Sequence, residues 1–253
     1  MTIINIEEIT NKKMPKFNAI KESQDIYVPG IAAENISKRN GMIYVLTGSG
    51  GSGKTNLLLN LFKNRYCYRN KFHNIFYFCP QSSFLSVIKH PFEKHDKVYH
   101  ELTVDILMSV YQQLNELKEG KNKTDSDSDS EPEIEYNCII IDDFADTLKD
   151  KDIERMLNMM IIKAKHLRCA FIFTLQSYYY FPKILRKQIT YILIFKPKNI
   201  AEFDSIAHEL LNLNKEDGLK LYNYIYDENY SHLDLDTVQN KVYKNFNELI
   251  LKE

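Results

Sequence analysis

Gly48-Ser49-Gly50-Gly51-Ser52-Gly53-Lys54-Thr55 satisfies the P-loop pattern G-x-x-x-x-G-K-[ST] at each required position. A row of backbone N–H groups has to wrap around a polyphosphate, and glycines let the chain turn and approach without Cβ clashes. Lys54 supplies a cation for the β and γ phosphates of ATP, and the Thr55 hydroxyl can ligate Mg²⁺. The helix that begins here adds its N-terminal dipole to the phosphate site. The flanks agree with this reading. Met42 to Thr47 (MIYVLT) reads as a buried strand and Asn56 to Phe62 (NLLLNLF) as an apolar helix. A Gly/Ser linker has no reason to sit between a strand and an apolar helix, whereas the P-loop requires that setting.

Farther along, Cys138-Ile139-Ile140-Ile141-Asp142-Asp143 is an apolar strand ending in two carboxylates, the Walker B arrangement. Asp142 is expected to hold Mg²⁺, and Asp143 to act on the attacking water as base or orienter. The run Asn74 to Cys79 (NIFYFC), ended by Pro80, is a further strand lying between the two motifs in sequence. A sheet with extra strands between its Walker strands resembles the RecA-like, additional-strand branch of P-loop ATPases. Asn122-Lys123-Thr124-Asp125 matches the guanine-reading N-K-x-D motif, but it stands before the Walker B strand in a polar segment with no strand leading into it. It is therefore set aside.

The rest of the chain alternates in the same way. Helices are expected over 103–118 and 150–166, and strands over 170–175 and 191–195. Strands alternating with helices imply a parallel sheet covered on both faces. Two helices are expected within 199–226. The runs SHLDLD and NKVYKNF alternate apolar and polar residues, which predicts a β-hairpin at about 230–247. Residues 1–40, broken by Pro15, Pro29 and Gly30, read as an irregular N-terminal extension to an ATPase domain over 41–253. The fold class is thus α/β: a RecA-like P-loop ATPase with a parallel central sheet flanked by helices, plus a C-terminal helical segment and hairpin.

Composition bounds the alternatives. With 253 residues and 44% hydrophobic content, one α/β domain with modest additions is expected. No apolar run approaches the roughly 18 residues that span a bilayer. The opening MTIINIEEITNKK carries acids and no long apolar stretch, so no secretory signal is expected there. Cys67, Cys79, Cys138 and Cys169 form no CxxC pair, and three of them sit in or beside apolar runs. They read as buried free thiols of a reducing compartment. The net charge is −1, but six acids between Asp125 and Glu135 account for −6, so the rest carries +5. That stretch is polar, aperiodic and contains Pro132. It reads as a disordered acidic insertion at about 121–136.

Three more residues are candidates for the chemistry. Gln176 ends the strand AFIFTLQ, where a polar tip between the Walker strands can sense the γ-phosphate or position water. Arg168 starts the same strand, and Arg186 lies in PKILRKQ. In a ring, an arginine of one subunit can reach its neighbour's γ-phosphate and stabilise transition-state charge.

Taken together, GSGGSGKT, CIIIDD, AFIFTLQSYYYFPKILRKQI and the tail with its hairpin resemble the FtsK–HerA superfamily over roughly residues 40–250. The likeness is to the genome-packaging ATPases of large double-stranded DNA viruses of poxvirus type and of their virophage relatives. The discriminating segment is Gln-Ser followed by an aromatic run, Pro-Lys and Ile-Leu-Arg; the Walker motifs are generic. The resemblance implies a homo-oligomeric ring that couples hydrolysis of Mg²⁺–ATP to translocation of double-stranded DNA into a capsid. It implies docking to capsid or portal-site proteins, at the assembly site in the host cytoplasm or in the virion. Gln176 then corresponds to the family's sensor glutamine and Arg168 to the arginine at the start of that strand. The acidic insertion departs from the family pattern without touching the motifs. The other readings are a RecA-type helicase or mobilisation ATPase, and a nonenzymatic nucleotide switch that recruits capsid proteins. DNA phosphates could be held by Lys63, Arg65, Arg69 and Lys71, or by Lys183, Arg186, Lys187, Lys196 and Lys198.

Overall fold

The computed structural model describes residues 27–120 and 134–251. Among these residues nine strands form one sheet: β1 (Ile43–Thr47), β2 (Asn74–Phe78), β3 (Val98–Tyr99), β4 (Asn137–Ile141), β5 (Cys169–Leu175), β6 (Tyr191–Phe195), β7 (His232–Asp236), β8 (Lys241–Lys244) and β9 (Asn247–Leu249). Their spatial order is β3-β2-β4-β5-β1-β6-β7-β8-β9. The first six run parallel, and β7, β8 and β9 join β6 as an antiparallel meander. The chain therefore has an α/β fold with a mostly parallel central sheet flanked by helices.

The central strands are near-continuous apolar runs because both of their faces are covered. Each residue of β1, β4, β5 and β6 is buried. Alternate side chains feed two cores. Ile43, Val45, Ile139, Ile141, Phe171 and Phe173 point to the face covered by α3 (Val104–Gly120), α4 (Lys151–Ile162), α6 (Ile200–Leu211) and α7 (Lys215–Ile225). Tyr44, Leu46, Ile140 and Ile172 point to the face covered by α1 (Lys54–Lys63) and by Val28, Ile31 and Ile36. Two short helices complete the set, α2 (Gln81–Leu85) and α5 (Lys183–Arg186). Helix starts follow local chemistry: Asp150 accepts from the Asp152 and Ile153 amides, and Asn199 from that of Glu202.

Several expectations are refined. The strand between the two Walker strands in space is β5; β2 lies on the far side of β4. The expected hairpin is three strands continuous with the main sheet. Its HLDLD run alternates apolar and polar residues, yet each of its residues is buried, Asp234 fully so. Burial raises the Asp234 pKa, and hydrogen bonds from His232 Nδ1 and from the Phe246 amide (2.7 Å) oppose the rise. The expected N-terminal extension is packed structure from residue 27. Val28, Ile31 and Ile36 are buried, and the amides of Ala32 and Ala33 donate to Tyr66 O (3.0 and 2.8 Å). The acidic insertion lies outside the described residues over 121–133, as does the N-K-x-D match. At its end, Tyr136 is buried and its amide donates to His73 Nδ1 (3.0 Å), so the chain is already in the fold there. The four cysteines are free and buried. No helix among the described residues is long and apolar enough to cross a membrane.

Candidate active site

β1 delivers the chain at Thr47 to a loop that is strapped on two sides. Gly48 N donates to Leu175 O at the end of β5 (3.2 Å), and Ser49 N and Oγ donate to Lys196 O just beyond β6 (3.4 and 3.1 Å). Gly48 has φ +147°, and a Cβ there would lie 2.6 Å from Phe195 Cβ. Gly53, at φ +102°, turns the chain into α1 with no side-chain cap and no acid in the first turn. The leading amides of α1 are thus turned toward the loop, the arrangement that receives an anion. Lys54 Nζ crosses the loop, donating to Gly48 O (2.8 Å) and Ser49 O (2.9 Å). Burial pushes its pKa down, and Asp142 and Asp143 push it back up. Gly48→Ala is expected to cost about 1–3 kcal/mol of backbone strain, plus the clash with Phe195. Thermal unfolding checks this, and an unchanged melting temperature would show that the turn is not constrained.

β4 ends on Asp142, which is almost fully buried. Its carboxylate accepts three hydroxyls: Tyr77 OH from β2 (2.8 Å), Thr55 Oγ1 from α1 (3.3 Å) and Thr174 Oγ1 from β5. Burial raises its pKa, and those three hydrogen bonds oppose the rise. Asp143 turns away with φ +61°. Its amide donates to Thr174 Oγ1 (3.1 Å), and its exposed carboxylate accepts from Ser83 Oγ (2.7 Å) and Gln176 Nε2 (3.2 Å). One threonine therefore touches both acids, and Gln176 follows directly on the end of its strand. The donor set of Thr55 and Asp142, hard oxygens 3.3 Å apart beside a phosphate loop, suits Mg²⁺, which keeps waters and phosphate oxygens as its remaining ligands.

The fold brings Lys54, Thr55, Asp142, Asp143 and Gln176 together, and it separates the two arginines from them. Arg168 precedes β5, so seven residues of strand, roughly 23 Å, lie between it and Gln176. It adopts φ +47°, and its carbonyl accepts from Asn137 N (2.7 Å). Arg186 is engaged within its own chain. Its Nε donates to Phe181 O (2.8 Å) and a terminal nitrogen to Tyr179 O (3.1 Å), while its guanidinium stacks 4.5 Å from the Tyr178 ring centre. The basic residues also divide. Lys63, Arg65 and Arg69 lie at or beyond the far end of α1, whereas Lys196 and Lys198 flank the P-loop.

Sequence reasoning missed the supports. Tyr77, Ser83 and Thr174 carry no motif; strand pairing places Tyr77 and Thr174 on the acids, and a five-residue helix places Ser83 there. It also missed the cleft of about 620 Å³ that opens from Gly53, Lys54 and Thr55 toward Phe195, Tyr230 and His232. The last two come from the C-terminal meander, more than 170 residues downstream of the P-loop.

Comparison with known proteins agrees with this architecture. No curated protein matches the sequence significantly. The genome packaging NTPase B204 of Sulfolobus turreted icosahedral virus 2, solved with AMPPCP, superposes with a TM-score of 0.54 at 18% identity, covering 84% of this chain and 100% of that one. B204 from Sulfolobus turreted icosahedral virus, a DNA-packaging ATPase, gives 0.53 at 15% identity, covering 84% and 98%. EssC ATPases 2 and 3 of Geobacillus thermodenitrificans give 0.57 at 16% identity, covering 81% of this chain and 39% of that one. These likenesses concern the fold. A family model described as Poxvirus A32 protein matches residues 33–250, a span that takes in the whole sheet, the P-loop and both acids. On that match the chain belongs to the poxvirus A32 protein family.

Proposed function

We propose that this protein is an ATP hydrolase that drives double-stranded DNA into a viral capsid as a homo-oligomeric ring. The observation that carries the proposal is the placement of Thr174 on β5, the strand between β1 and β4, and of Gln176 just past its end. Thr174 bonds both acids at the end of β4, and Gln176 Nε2 donates to the exposed carboxylate of Asp143. Gly48 to Thr55 would cradle the triphosphate, with Lys54 on its β and γ groups. Thr55 and Asp142 would hold Mg²⁺, which when bound offsets charge on the transferring phosphoryl group. Asp143 would orient and deprotonate the attacking water. Membership in the poxvirus A32 family and the likeness to viral packaging NTPases support packaging over other uses of this fold. By the same reading the partners are double-stranded DNA and capsid or portal-site proteins, and the place of action is the virus assembly site in the host cytoplasm.

Phosphate release measured with and without double-stranded DNA tests the proposal, together with displacement of a third strand from a triplex substrate. DNA-stimulated turnover with triplex displacement and no duplex unwinding is expected. Unwinding would instead favour a helicase, and DNA-independent binding without turnover a switch. Within this site, Asp143→Asn is expected to retain ATP binding and lower turnover by roughly 10²- to 10⁴-fold, because the water loses its base. Asp142→Asn should weaken Mg²⁺-dependent binding instead. Equal loss of affinity in both variants would refute this division of labour.

A further inference from the structure

One wall of the 620 Å³ cleft is not needed for phosphate chemistry. Tyr230 sits at φ +65°, a conformation uncommon outside glycine and costly for a bulky residue. Its ring lies against Gly53, where an added Cβ would meet Tyr230 Cδ1 at 3.3 Å. The residue is 71% exposed, so a face of the ring is open beside the loop. Deeper in the same wall is His232, which is only 5% exposed. Its ring is seated against Phe195 and Phe246, each with centroids 5.0 Å away. Nδ1 donates to the fully buried carboxylate of Asp234, which is held in turn by the Phe246 amide at 2.7 Å. A carboxylate on one ring nitrogen fixes the tautomer and the ring orientation. Nε2 is then the nitrogen left for the cleft, and in the neutral ring it carries a lone pair.

An imidazole oriented by a buried acid and an open aromatic face thus stand together at the mouth of a phosphate loop. We infer that this wall is the nucleoside subsite: Tyr230 stacks on the base, and His232 Nε2 accepts a hydrogen bond from a nucleoside donor. That donor is an exocyclic base amine or the ribose 2′-hydroxyl. The inference rests on the P-loop being a triphosphate cradle and adds to it the part of the ligand that phosphates do not specify. Adenine presents an amine where guanine presents a carbonyl oxygen, so an amine contact rejects GTP. A ribose contact leaves base choice alone and rejects the 2′-deoxy nucleotide.

Calorimetric titration of the full chain with Mg²⁺–ATP, Mg²⁺–GTP, Mg²⁺–dATP and Mg²⁺–tripolyphosphate tests it. His232→Ala and Tyr230→Ala are each expected to weaken ATP binding roughly tenfold and to leave tripolyphosphate binding unchanged. In His232→Ala the preference for ATP over GTP collapses if the donor is the amine, and the preference over dATP if it is the hydroxyl. ATP affinity unchanged in both variants, or ATP and tripolyphosphate affinity falling together, overturns the subsite. Tyr230 is at the surface, so Tyr230→Ala decides the matter even where His232→Ala does not fold. Wild-type protein that binds neither ATP nor tripolyphosphate, or whose binding is indifferent to Lys54→Ala, would overturn the P-loop reading itself.

Discussion

Lys54→Ala lowers ATP turnover by at least about 10³-fold while the protein stays folded. Removing a single preorganised donor from a developing oxyanion costs roughly 10²- to 10³-fold, and Lys54 offers a full charge from a buried position. The loop does not depend on it for its course. Gly48 and Ser49 remain tied to Leu175 and Lys196 through their own backbone, and α1 keeps its apolar anchors Leu58, Leu61 and Phe62. Circular dichroism and thermal unfolding should therefore be close to wild type, with phosphate release at background. Near wild-type release would remove the P-loop from the chemistry altogether.

Arg168→Ala is the second large effect, and it tests the ring. Arg168 stands at the opposite end of β5 from its own Gln176, so it cannot serve the site on its own subunit. If it serves a neighbour, the variant binds ATP normally and hydrolyses it poorly. Fingers of this kind contribute roughly 10³ to 10⁵ in rate where they are established. Mixing Arg168→Ala with Lys54→Ala subunits should restore part of the activity, because an interface that takes its P-loop from the first and its arginine from the second is intact. Arg186→Ala is the contrasting case. Its guanidinium holds Tyr179 and Phe181 carbonyls and stacks on Tyr178, so the expected cost falls on stability and is not rescued by mixing. Absence of rescue for either arginine, with turnover independent of protein concentration, would mean that each subunit hydrolyses ATP alone.

How far the sequence carried the argument depended on how local each signal was. The P-loop and the acidic end of β4 were legible because their chemistry is written in consecutive residues. Strands β1, β2, β4, β5 and β6 were legible because burial on two faces leaves uninterrupted apolar runs. What escaped was set by pairing between distant segments. Thr174 looks like any strand threonine until the register of β4 with β5 puts it against both Asp142 and Asp143. Ser83 belongs to a five-residue helix with no buried residue, too short to show periodicity. The alternation of HLDLD announced a strand but not its surroundings: β7 is buried between β6 and β8, and Asp234 is hydrogen-bonded internally. β3 and β9 are too short for any pattern to announce them.

Those two shortest strands have a consequence of their own. They are the borders of the nine-stranded sheet, two residues long on one side and three on the other. A sheet border recruits another chain through its row of free backbone donors and acceptors, and a border this brief offers too few to hold one. Among the described residues, then, the sheet offers little free backbone for lateral growth or templated aggregation. Any contact between copies of this chain would rest on side chains and loops, which can part and re-form as a shared, hydrogen-bonded sheet could not.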